Sequence, residues 1–300
     1  MKTKETIAFI GLGVMGGPMA GHLAARGYPL RIYNRTRQRA DEWKERFGPQ
    51  GSRVRLCDTP AKAAEGAKVV ITCVGNDEDL AEVTIGPGGA FEATRAGALF
   101  IDHTTVSANM ARRLDEEARH RGFTAIDAPV SGGQAGAENG KLAIMCGGTA
   151  EAMDRARPVM ESYGARIVHV GAAGAGQTTK MANQMCIAGV LGGLSEAIRL
   201  VQASGLDADK VLEAISGGAA QSWQMENRWK TMVEGEFDFG FAIDWMRKDL
   251  AYTLAESERL GLETPITSLV DQFYADVQAM GGGRQDTSAL IRRLPEGKSQ

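Results

Sequence analysis

One lysine stands among uncharged residues in the stretch GAGQTTKMANQ, residues 174–184. The nearest charged residues along the chain are Arg166 before Lys180 and Glu196 after it. The residues between them are mostly small and apolar, which predicts a buried segment. Burying an ammonium group costs free energy unless the group has a partner or a function. Because burial also lowers the pKa of a lysine, Lys180 is a candidate general acid–base.

Two side-chain amides accompany this lysine. On a helix, Asn183 and Gln184 share a face with Lys180, three and four positions further on. A lysine and an amide on one face can bind and polarise a carbonyl or hydroxyl oxygen. The alternative interpretation is a lysine that reaches solvent or forms a structural ion pair.

A second candidate site is the sequence Asp127-Ala128-Pro129-Val130-Ser131-Gly132-Gly133, at the end of a predicted strand. Ser131 offers a hydroxyl, and Gly132 and Gly133 offer accessible backbone amides. Together these groups form a small anion-binding nest that suits a carboxylate. The segment lacks the glycine that a G-x-S-x-G nucleophile elbow requires. The alternative is an ordinary turn that ends a strand.

A glycine motif of the kind that binds dinucleotides, Gly11-Leu12-Gly13-Val14-Met15-Gly16, lies near the start of the chain. It follows an apolar strand and opens a helix, which is the context that the motif requires. Gly11 permits a tight turn, Gly13 lets a pyrophosphate approach the backbone, and Gly16 allows close packing. The helix N-terminus then supplies amide donors to the phosphates. The alternative is a glycine-rich structural turn.

The second strand ends in Tyr33-Asn34-Arg35-Thr36-Arg37, without the acid that binds the ribose of NAD. Arg35 can pair with a 2′-phosphate through its planar guanidinium, and Thr36 adds a hydroxyl. We therefore predict that Asn34, Arg35 and Thr36 contact the cofactor and that NADP is preferred, with NAD possible. Arg35 could instead be a solvated surface residue, and Thr36 only the N-cap of the next helix.

The hydrophobic pattern divides the chain into two halves. Apolar runs of strand length alternate with helical patterns in the first half, which predicts a Rossmann-type, doubly wound α/β sheet. These runs are residues 6–10, 30–34, 69–74, 98–102, 124–130, 142–146 and 166–170.

After Val170 the pattern is helical. One long helix over about 177–203 joins the sheet to an all-helical C-terminal domain, with helices near 207–216, 222–233, 243–260 and 265–280. We predict a nucleotide-binding domain of residues 1–172 and a helical substrate and dimerisation domain of residues 173–300. The active site is expected in the cleft between them, at the carboxyl ends of the strands.

The composition narrows the class of protein. A net charge of −3 gives no electrostatic argument for nucleic acid or an anionic membrane. The four cysteines and four histidines show no metal-ligand spacing, so we predict no metal site. The apolar N-terminal run is too short for a signal peptide, and the uncharged run 181–195 is too short to cross a bilayer. We expect a cytoplasmic protein.

Four motifs in this order resemble the β-hydroxyacid dehydrogenase family: I-G-L-G-V-M-G-G-P-M, D-A-P-V-S-G-G, G-A-G-Q-T-T-K-M-A-N-Q and W-M-R-K-D-L. That family includes 3-hydroxyisobutyrate dehydrogenases and several semialdehyde reductases, with 6-phosphogluconate dehydrogenase more distant. The resemblance covers nearly the whole chain. It implies that Lys180 is the catalytic acid–base and that Ser131, Gly132 and Gly133 hold the substrate carboxylate. It also implies an amide contact with the substrate, made by either Asn183 or Gln184.

The resemblance assigns further residues to the two ligands. Around the cofactor it places Thr105, Val74, Asn76 and, from the second domain, Lys248. Phe241 and Trp223 become substrate-pocket walls. Lys248 could instead be a surface lysine beside Asp249, and the two aromatic residues could belong to a core. His103 stands where the family commonly has methionine, and we attach no function to it.

The expected activity is reversible hydride transfer between NADP(H) and a small 3-hydroxy acid, similar to 3-hydroxyisobutyrate, or its semialdehyde. A reductase for glyoxylate and succinic semialdehyde, or for tartronate semialdehyde, is the alternative. The S-G-G motif favours the hydroxyisobutyrate and tartronate semialdehyde branches, whereas N-R-T favours the NADPH-dependent reductases. Lys180 argues against imine reduction and against a non-enzymatic cofactor-binding scaffold. The long apolar helix predicts a homodimer or homotetramer.

Overall fold

The chain forms two compact units, one up to Lys180 and the other from Met181. The structure, a computed structural model, describes residues 4–48 and 53–295. The division falls inside the long helix that the sequence predicts, while the predicted domain boundary after residue 172 lies just before that helix.

The first unit is built on a nine-stranded sheet with the order β3-β2-β1-β4-β5-β6-β8-β7, in which β9 also pairs with β8. Neighbours from β3 to β6 are parallel, and β8 is antiparallel to β6 and β7. The strands are β1 (Ile7–Ile10), β2 (Leu30–Tyr33), β3 (Val54–Leu56), β4 (Val69–Thr72), β5 (Leu99–Asp102), β6 (Thr124–Asp127), β7 (Val130–Ser131), β8 (Leu142–Gly148) and β9 (Gly164–Gly171).

Helices connect these strands and cover both faces of the sheet. They are α1 (Gly16–Ala25), α2 (Arg37–Phe47), α3 (Pro60–Ala64), α4 (Asp77–Thr84), α5 (Ala108–His120), α6 (Gly133–Glu138) and α7 (Ala150–Met160). Two cores result, because successive side chains of a strand point to opposite faces. In β1, Ile7 and Phe9 lie in one core, and Ala8 and Ile10 in the other. Burial on both faces explains why this strand is continuously apolar.

The direction of winding reverses at β1, which pairs with β2 on one side and with β4 on the other. In open α/β sheets, ligands bind beyond the carboxyl ends of the strands at such a point. The loops after β1 and β4 are adjacent there, since the amide of Cys73 donates to the carbonyl of Ile10 (2.9 Å). The glycine motif therefore lies where a dinucleotide site is expected.

The second unit is helical. After α8 (Ala175–Ala203) come α9 (Ala208–Ile215), α10 (Trp223–Glu234), α11 (Ile243–Arg259) and α12 (Pro265–Ala279). The core contains the fully buried rings of Trp229 and Tyr274. By length and composition α8 could cross a membrane, with a mean hydropathy of 1.3, but a buried core helix passes the same test. Its side chains in this core are Ala188, Leu191, Leu194, Ile198 and Val201.

The predicted α/β and helical halves are confirmed, with local differences. The predicted strand 124–130 is two strands, β6 and β7, separated by Ala128 and Pro129. Proline has no amide hydrogen for a sheet, so the ladder is interrupted there. The pattern also missed the short β3 and the helices α3, α4, α6 and α7, most of which are too brief to show a clear period.

Candidate active site

The loop after β1 has an architecture that only glycine permits. Gly11 has φ of +100°, and a Cβ there would lie 2.2 Å from the carbonyl oxygen of Cys73. A Cβ on Gly16 would lie 2.1 Å from the carbonyl oxygen of Gly11. Gly13 differs, because it is exposed and its Cβ would meet no protein atom within 4 Å. Two glycines thus close the turn, and the middle one leaves room for a phosphate beside the N-terminus of α1.

Asn34 fixes this loop to the end of β2. Its side-chain oxygen accepts a hydrogen bond from the amide of Leu12 (2.9 Å), and its side-chain nitrogen donates to the carbonyl of Thr36 (2.8 Å). Thr36 precedes α2 without a side-chain capping bond. Val14 is exposed and Met15 is half-buried. Asn34 therefore positions the turn that a cofactor would contact.

Arg35 forms an ion pair across the carboxyl edge of the sheet. Its guanidinium lies 2.7 Å from a carboxylate oxygen of Asp79, in the first turn of α4. Asn76 caps that helix by accepting from the amide of Asp79 (2.8 Å). The Arg35 side chain is 72% exposed. An exposed pair of this kind stabilises by less than about 1 kcal/mol, so a bound phosphate can compete for the guanidinium.

The loops after β4 and β5 support one another. The amide of Val74 donates to the hydroxyl oxygen of Thr104 (3.1 Å). Asp77 accepts from both the amide (2.8 Å) and the hydroxyl (2.6 Å) of Ser107. Thr105 lies between these contacts and is half-buried. The loops that carry Val74, Asn76 and Thr105 are therefore held together by side-chain hydrogen bonds.

The carboxylate of Asp127, at the end of β6, caps the N-terminus of α8. One oxygen accepts from the amide of Gly174 (2.7 Å) and the other from the amide of Gln177 (2.9 Å). Burial raises the pKa of Asp127 to about 6 although these amides act to lower it. The carboxyl is thus mostly ionised at pH 7. A Cβ on Gly176 would lie 2.6 Å from the Asp127 carbonyl oxygen, which explains the glycine there.

Gln177 joins the same turn of α8 to the loop after β5. Its side-chain nitrogen donates to the carbonyl of Thr104 (2.7 Å), and its side-chain oxygen accepts from the amide of Val106 (3.1 Å). Lys180 follows three positions later and is 7% exposed. The candidate acid–base thus stands one helical turn beyond a segment anchored to the ends of two strands.

Ser131 closes β7 opposite Ala143 of β8. Gly132 and Gly133 follow with φ of +128° and +59°, conformations that favour glycine, and both are exposed. Ser131 lies four positions after Asp127, so the Cα atoms of the two residues are within about 14 Å of each other. The predicted carboxylate nest therefore belongs to the same edge of the sheet as the cap of α8.

His103 ties the loop after β5 to the residue after β6. Its Nδ1 donates to the carbonyl of Ala128 (2.6 Å), so Nε2 accepts from the hydroxyl of Tyr163 (2.8 Å). Burial lowers the pKa of His103 to about 4, and the imidazole is neutral at pH 7. The sequence pattern predicts no function for His103, and in the structure it connects the two loops.

Asp102 is a second buried carboxyl beside Asp127, on the neighbouring strand. One oxygen accepts from the hydroxyl of Thr72 (2.7 Å) and the amide of Thr104 (3.0 Å). The other oxygen has no hydrogen-bond partner among the described residues. Burial raises the pKa of Asp102 to about 7, and the nearby charge of Asp127 adds to the shift. A neutral Asp102 beside an ionised Asp127 is the arrangement that these contacts favour.

In the second unit, the structure groups Asn183, Gln184, Asp249 and Lys248. Gln184 is 1% exposed, donates to the carboxylate of Asp249 (2.7 Å) and accepts from the side chain of Asn183 (2.8 Å). Asn183 is half-buried. The amine of Lys248 lies 3.3 Å from the other oxygen of Asp249 and near two aromatic rings. Gln184 is thus occupied by protein contacts, which leaves Asn183 as the more accessible amide.

Trp223 and Phe241 meet a second network in the same unit. Arg228 stacks on the ring of Trp223 (4.9 Å) and pairs with the buried carboxylate of Asp286 (3.0 Å). Asp286 also accepts from the backbone amide of Phe241 (2.9 Å). Trp223 is 59% exposed and Phe241 is half-buried. Asp286 contacts Phe241 directly, whereas Trp223 contacts Arg228, and the predicted contact of both rings with substrate stays a prediction.

Sequence reasoning missed the residues that support the site. Asp127 and Gln177 belong to motifs that predict no role for them, and no sequence pattern assigns a role to Asp102 or Asp286. Each has a partner far away along the chain, as for Asp127 and Gly174, which are separated by 47 positions. The available signal was chemical: buried polar residues require hydrogen bonds, so each polar residue in an apolar run implies a partner.

The fold and the glycine loop are those of a dinucleotide-binding protein. Residues 6–171 match the family described as the NAD binding domain of 6-phosphogluconate dehydrogenase. Residues 174–294 match the family described as NAD-binding of NADP-dependent 3-hydroxyisobutyrate dehydrogenase. The chain belongs to the β-hydroxyacid dehydrogenase family, and the resemblance and the fold class predicted from the sequence are confirmed.

Known relatives match along nearly the whole chain. An uncharacterized oxidoreductase of Shewanella frigidimarina is 52% identical, over 98% of this chain and 99% of its own. An NAD-dependent L-serine dehydrogenase of Pseudomonas aeruginosa is 33% identical, over 95% and 96%. The solved structure of Mycobacterium tuberculosis 3-hydroxyisobutyrate dehydrogenase with L-serine has a TM-score of 0.87 at 32% identity, covering 97% and 99%.

The raised pKa of Asp102 predicts a pH-dependent effect of Asp102→Asn, in which the amide imitates the neutral carboxyl. Between pH 4 and about 7 the unfolded chain has released this proton while the folded chain retains it. That difference lowers the free energy of unfolding of the wild type as pH rises. The variant lacks this loss, so its stability relative to wild type should increase by on the order of 2 kcal/mol from pH 5 to pH 8. Urea unfolding at both pH values measures it, and an equal difference at both would contradict a neutral Asp102.

Proposed function

We propose that this protein catalyses reversible hydride transfer between NADP(H) and a small 3-hydroxy acid, with Lys180 as the general acid–base. The observation that carries the proposal is the placement of Lys180. It is buried, and it lies one turn beyond a helix start that is hydrogen-bonded to the ends of β5 and β6. Precise placement of this kind contributes large rate factors in enzymes.

The relatives suggest the substrate class. L-Serine and 3-hydroxyisobutyrate both carry a carboxylate, a small substituent on C2 and a primary alcohol on C3. These names belong to a Pseudomonas enzyme and a Mycobacterium structure. We extend to this chain only their shared pattern, a 2-substituted 3-hydroxypropanoate or its semialdehyde. The hydroxyl of Ser131 and the amides of Gly132 and Gly133 would bind the carboxylate.

In this reaction the protein itself supplies and removes the proton. NADPH, when bound, supplies the hydride. Lys180 would donate a proton from Nζ to the carbonyl oxygen during reduction and recover it from the hydroxyl during oxidation. We assign the amide contact to Asn183, because the side chain of Gln184 is engaged with Asp249. Gln184 would then act on Asn183 and not on the substrate.

NADP is the proposed cofactor because of the end of β2. No acid stands there to accept from a ribose 2′-hydroxyl, and Arg35 is exposed beside the glycine loop. Its weak pair with Asp79 would hold the guanidinium at the edge of the sheet until a 2′-phosphate competes for it. Preference for NADPH would in turn favour the reductive direction, in which a semialdehyde is the substrate.

Replacing Lys180 tests the acid–base role. Lys180→Ala should lower kcat for a semialdehyde by about 10²- to 10⁴-fold, since proton transfer is lost. Lys180→Arg should be similarly inactive, because an arginine keeps the charge but does not release its proton. The NADPH dissociation constant, measured by fluorescence titration, should stay within about twofold, since other residues bind the cofactor. A panel of C3 and C4 semialdehydes supplies the substrate.

Lys230→Ala is the matched control, since its side chain is exposed on α10. It should retain the wild-type kcat. A Lys180→Ala protein that keeps more than about a tenth of kcat would exclude general acid–base catalysis by this residue.

Arg35→Ala tests the cofactor preference. Loss of a charge-assisted contact should raise the KM for NADPH by about 10- to 100-fold and leave kcat/KM for NADH nearly unchanged. Arg46→Ala, which removes the same charge near the far end of α2, should alter neither value by more than about twofold. If wild-type enzyme uses NADH as well as NADPH, the proposed role of Arg35 is wrong.

A further inference from the structure

We propose that Gln177 is a positioning residue for Lys180, coupling the loop that carries Thr105 to the helical turn that presents the lysine. The inference rests on the proposed acid–base role of Lys180. It adds that proton transfer depends on a residue that touches neither ligand. A structural glutamine that only satisfies its own hydrogen bonds is the competing explanation.

The side chain of Gln177 bridges in a defined direction. A carbonyl can only accept and an amide N–H can only donate, so the nitrogen of the side chain must face Thr104 and its oxygen must face Val106. Gln177 is fully buried, so water cannot replace either partner. The bridge therefore fixes both the distance and the orientation of the loop relative to α8.

Asp127 anchors the same turn independently, through the backbone amides of Gly174 and Gln177. The backbone amide of Gln177 thus donates one hydrogen bond to Asp127 at the end of β6. Its side chain makes two more hydrogen bonds, both to the loop after β5. These contacts restrain the first turn of α8 against rotation and sliding relative to the ends of β5 and β6. Lys180 lies three positions further on, and side chains at i and i+3 lie on one face of a helix. The anchored turn therefore also sets the position of Lys180.

Thr105 is enclosed by the two residues that the bridge holds. Thr104 and Val106 flank it. The hydroxyl oxygen of Thr104 also accepts a hydrogen bond from the amide of Val74. A shift of this loop would therefore move the proposed cofactor side of the site relative to Lys180. A misplacement of about 1 Å can cost about 100-fold in rate, so loss of the bridge should affect chemistry more than cofactor binding.

One substitution removes the bridge. Gln177→Met keeps the length of the side chain but loses both hydrogen bonds. Ser195→Ala is the matched control, because Ser195 is also buried on α8 and its hydroxyl donates to the carbonyl of Leu191 within the same helix.

In full-length protein, Gln177→Met should lower kcat by about 10- to 100-fold while the NADPH dissociation constant stays within about twofold. The primary isotope effect with 4-deuterated NADPH should rise, because hydride transfer becomes slower than product release. Ser195→Ala should lower the melting temperature without changing kcat or the isotope effect. The positioning role is overturned if Gln177→Met resembles Ser195→Ala in kcat and isotope effect, or if NADPH binding weakens as much as kcat falls.

Wild-type hydrogen exchange decides the matter if the variants fail to fold. The amides of Val106 and Gly174 should be protected, because each donates to a buried side chain. Exchange of both at the rate of an unstructured chain would overturn the proposal.

Lys180→Ala, assayed in parallel, separates this inference from the proposed function. If Lys180→Ala remains active, the proposed function fails. If Lys180→Ala is inactive and Gln177→Met behaves as the control does, only the positioning role fails.

Discussion

The two hydrogen bonds that the carboxylate of Asp127 accepts at the N-terminus of α8 are the constraint on which the candidate site depends. Hydrogen bonds to a charged group stabilise proteins by about 1.5–3 kcal/mol each, and Asp127 makes two to this turn. Burial opposes them strongly enough to raise the pKa of the carboxyl to about 6. The net stabilisation is therefore smaller than the sum of the two hydrogen bonds. The main effect of the contact is to fix the position of the helix N-terminus. It places the start of a 29-residue helix at the end of one strand.

The other parts of the site lie at the same edge of the sheet. Asn34 holds the glycine loop, Gln177 holds the loop after β5, and His103 holds that loop to the residue after β6. Each support is a buried or half-buried polar side chain with a backbone partner. Such contacts are costly to break, because the orphaned group stays buried. The candidate ligand-binding groups are consequently fixed by residues that do not themselves need to meet a ligand.

The sequence predicted those features whose cause is local. The roles of Gly11, Gly13 and Gly16 could be predicted, because a tight turn and a close phosphate approach require glycine at fixed spacing. The importance of Lys180 could be predicted, because burying a charged residue within an apolar segment costs free energy. The supports could not be predicted, since Asp127 and Gln177 act on partners 47 to 73 positions away. The antiparallel pairing of β6 with β8 likewise depends on tertiary packing, and not on the pattern of either strand.

Mass spectrometry of the product made with NADPH that carries deuterium at both hydrogen positions of C4 tests the proposed hydride transfer most directly. Purified protein is incubated with 2-methyl-3-oxopropanoate, the semialdehyde of 3-hydroxyisobutyrate, and with the other semialdehydes in the panel. We expect a 3-hydroxy acid that carries one deuterium on C3, formed by the wild type and not by Lys180→Ala. Failure of the wild type to form a deuterated 3-hydroxy acid from any of these semialdehydes would contradict the proposed hydride transfer.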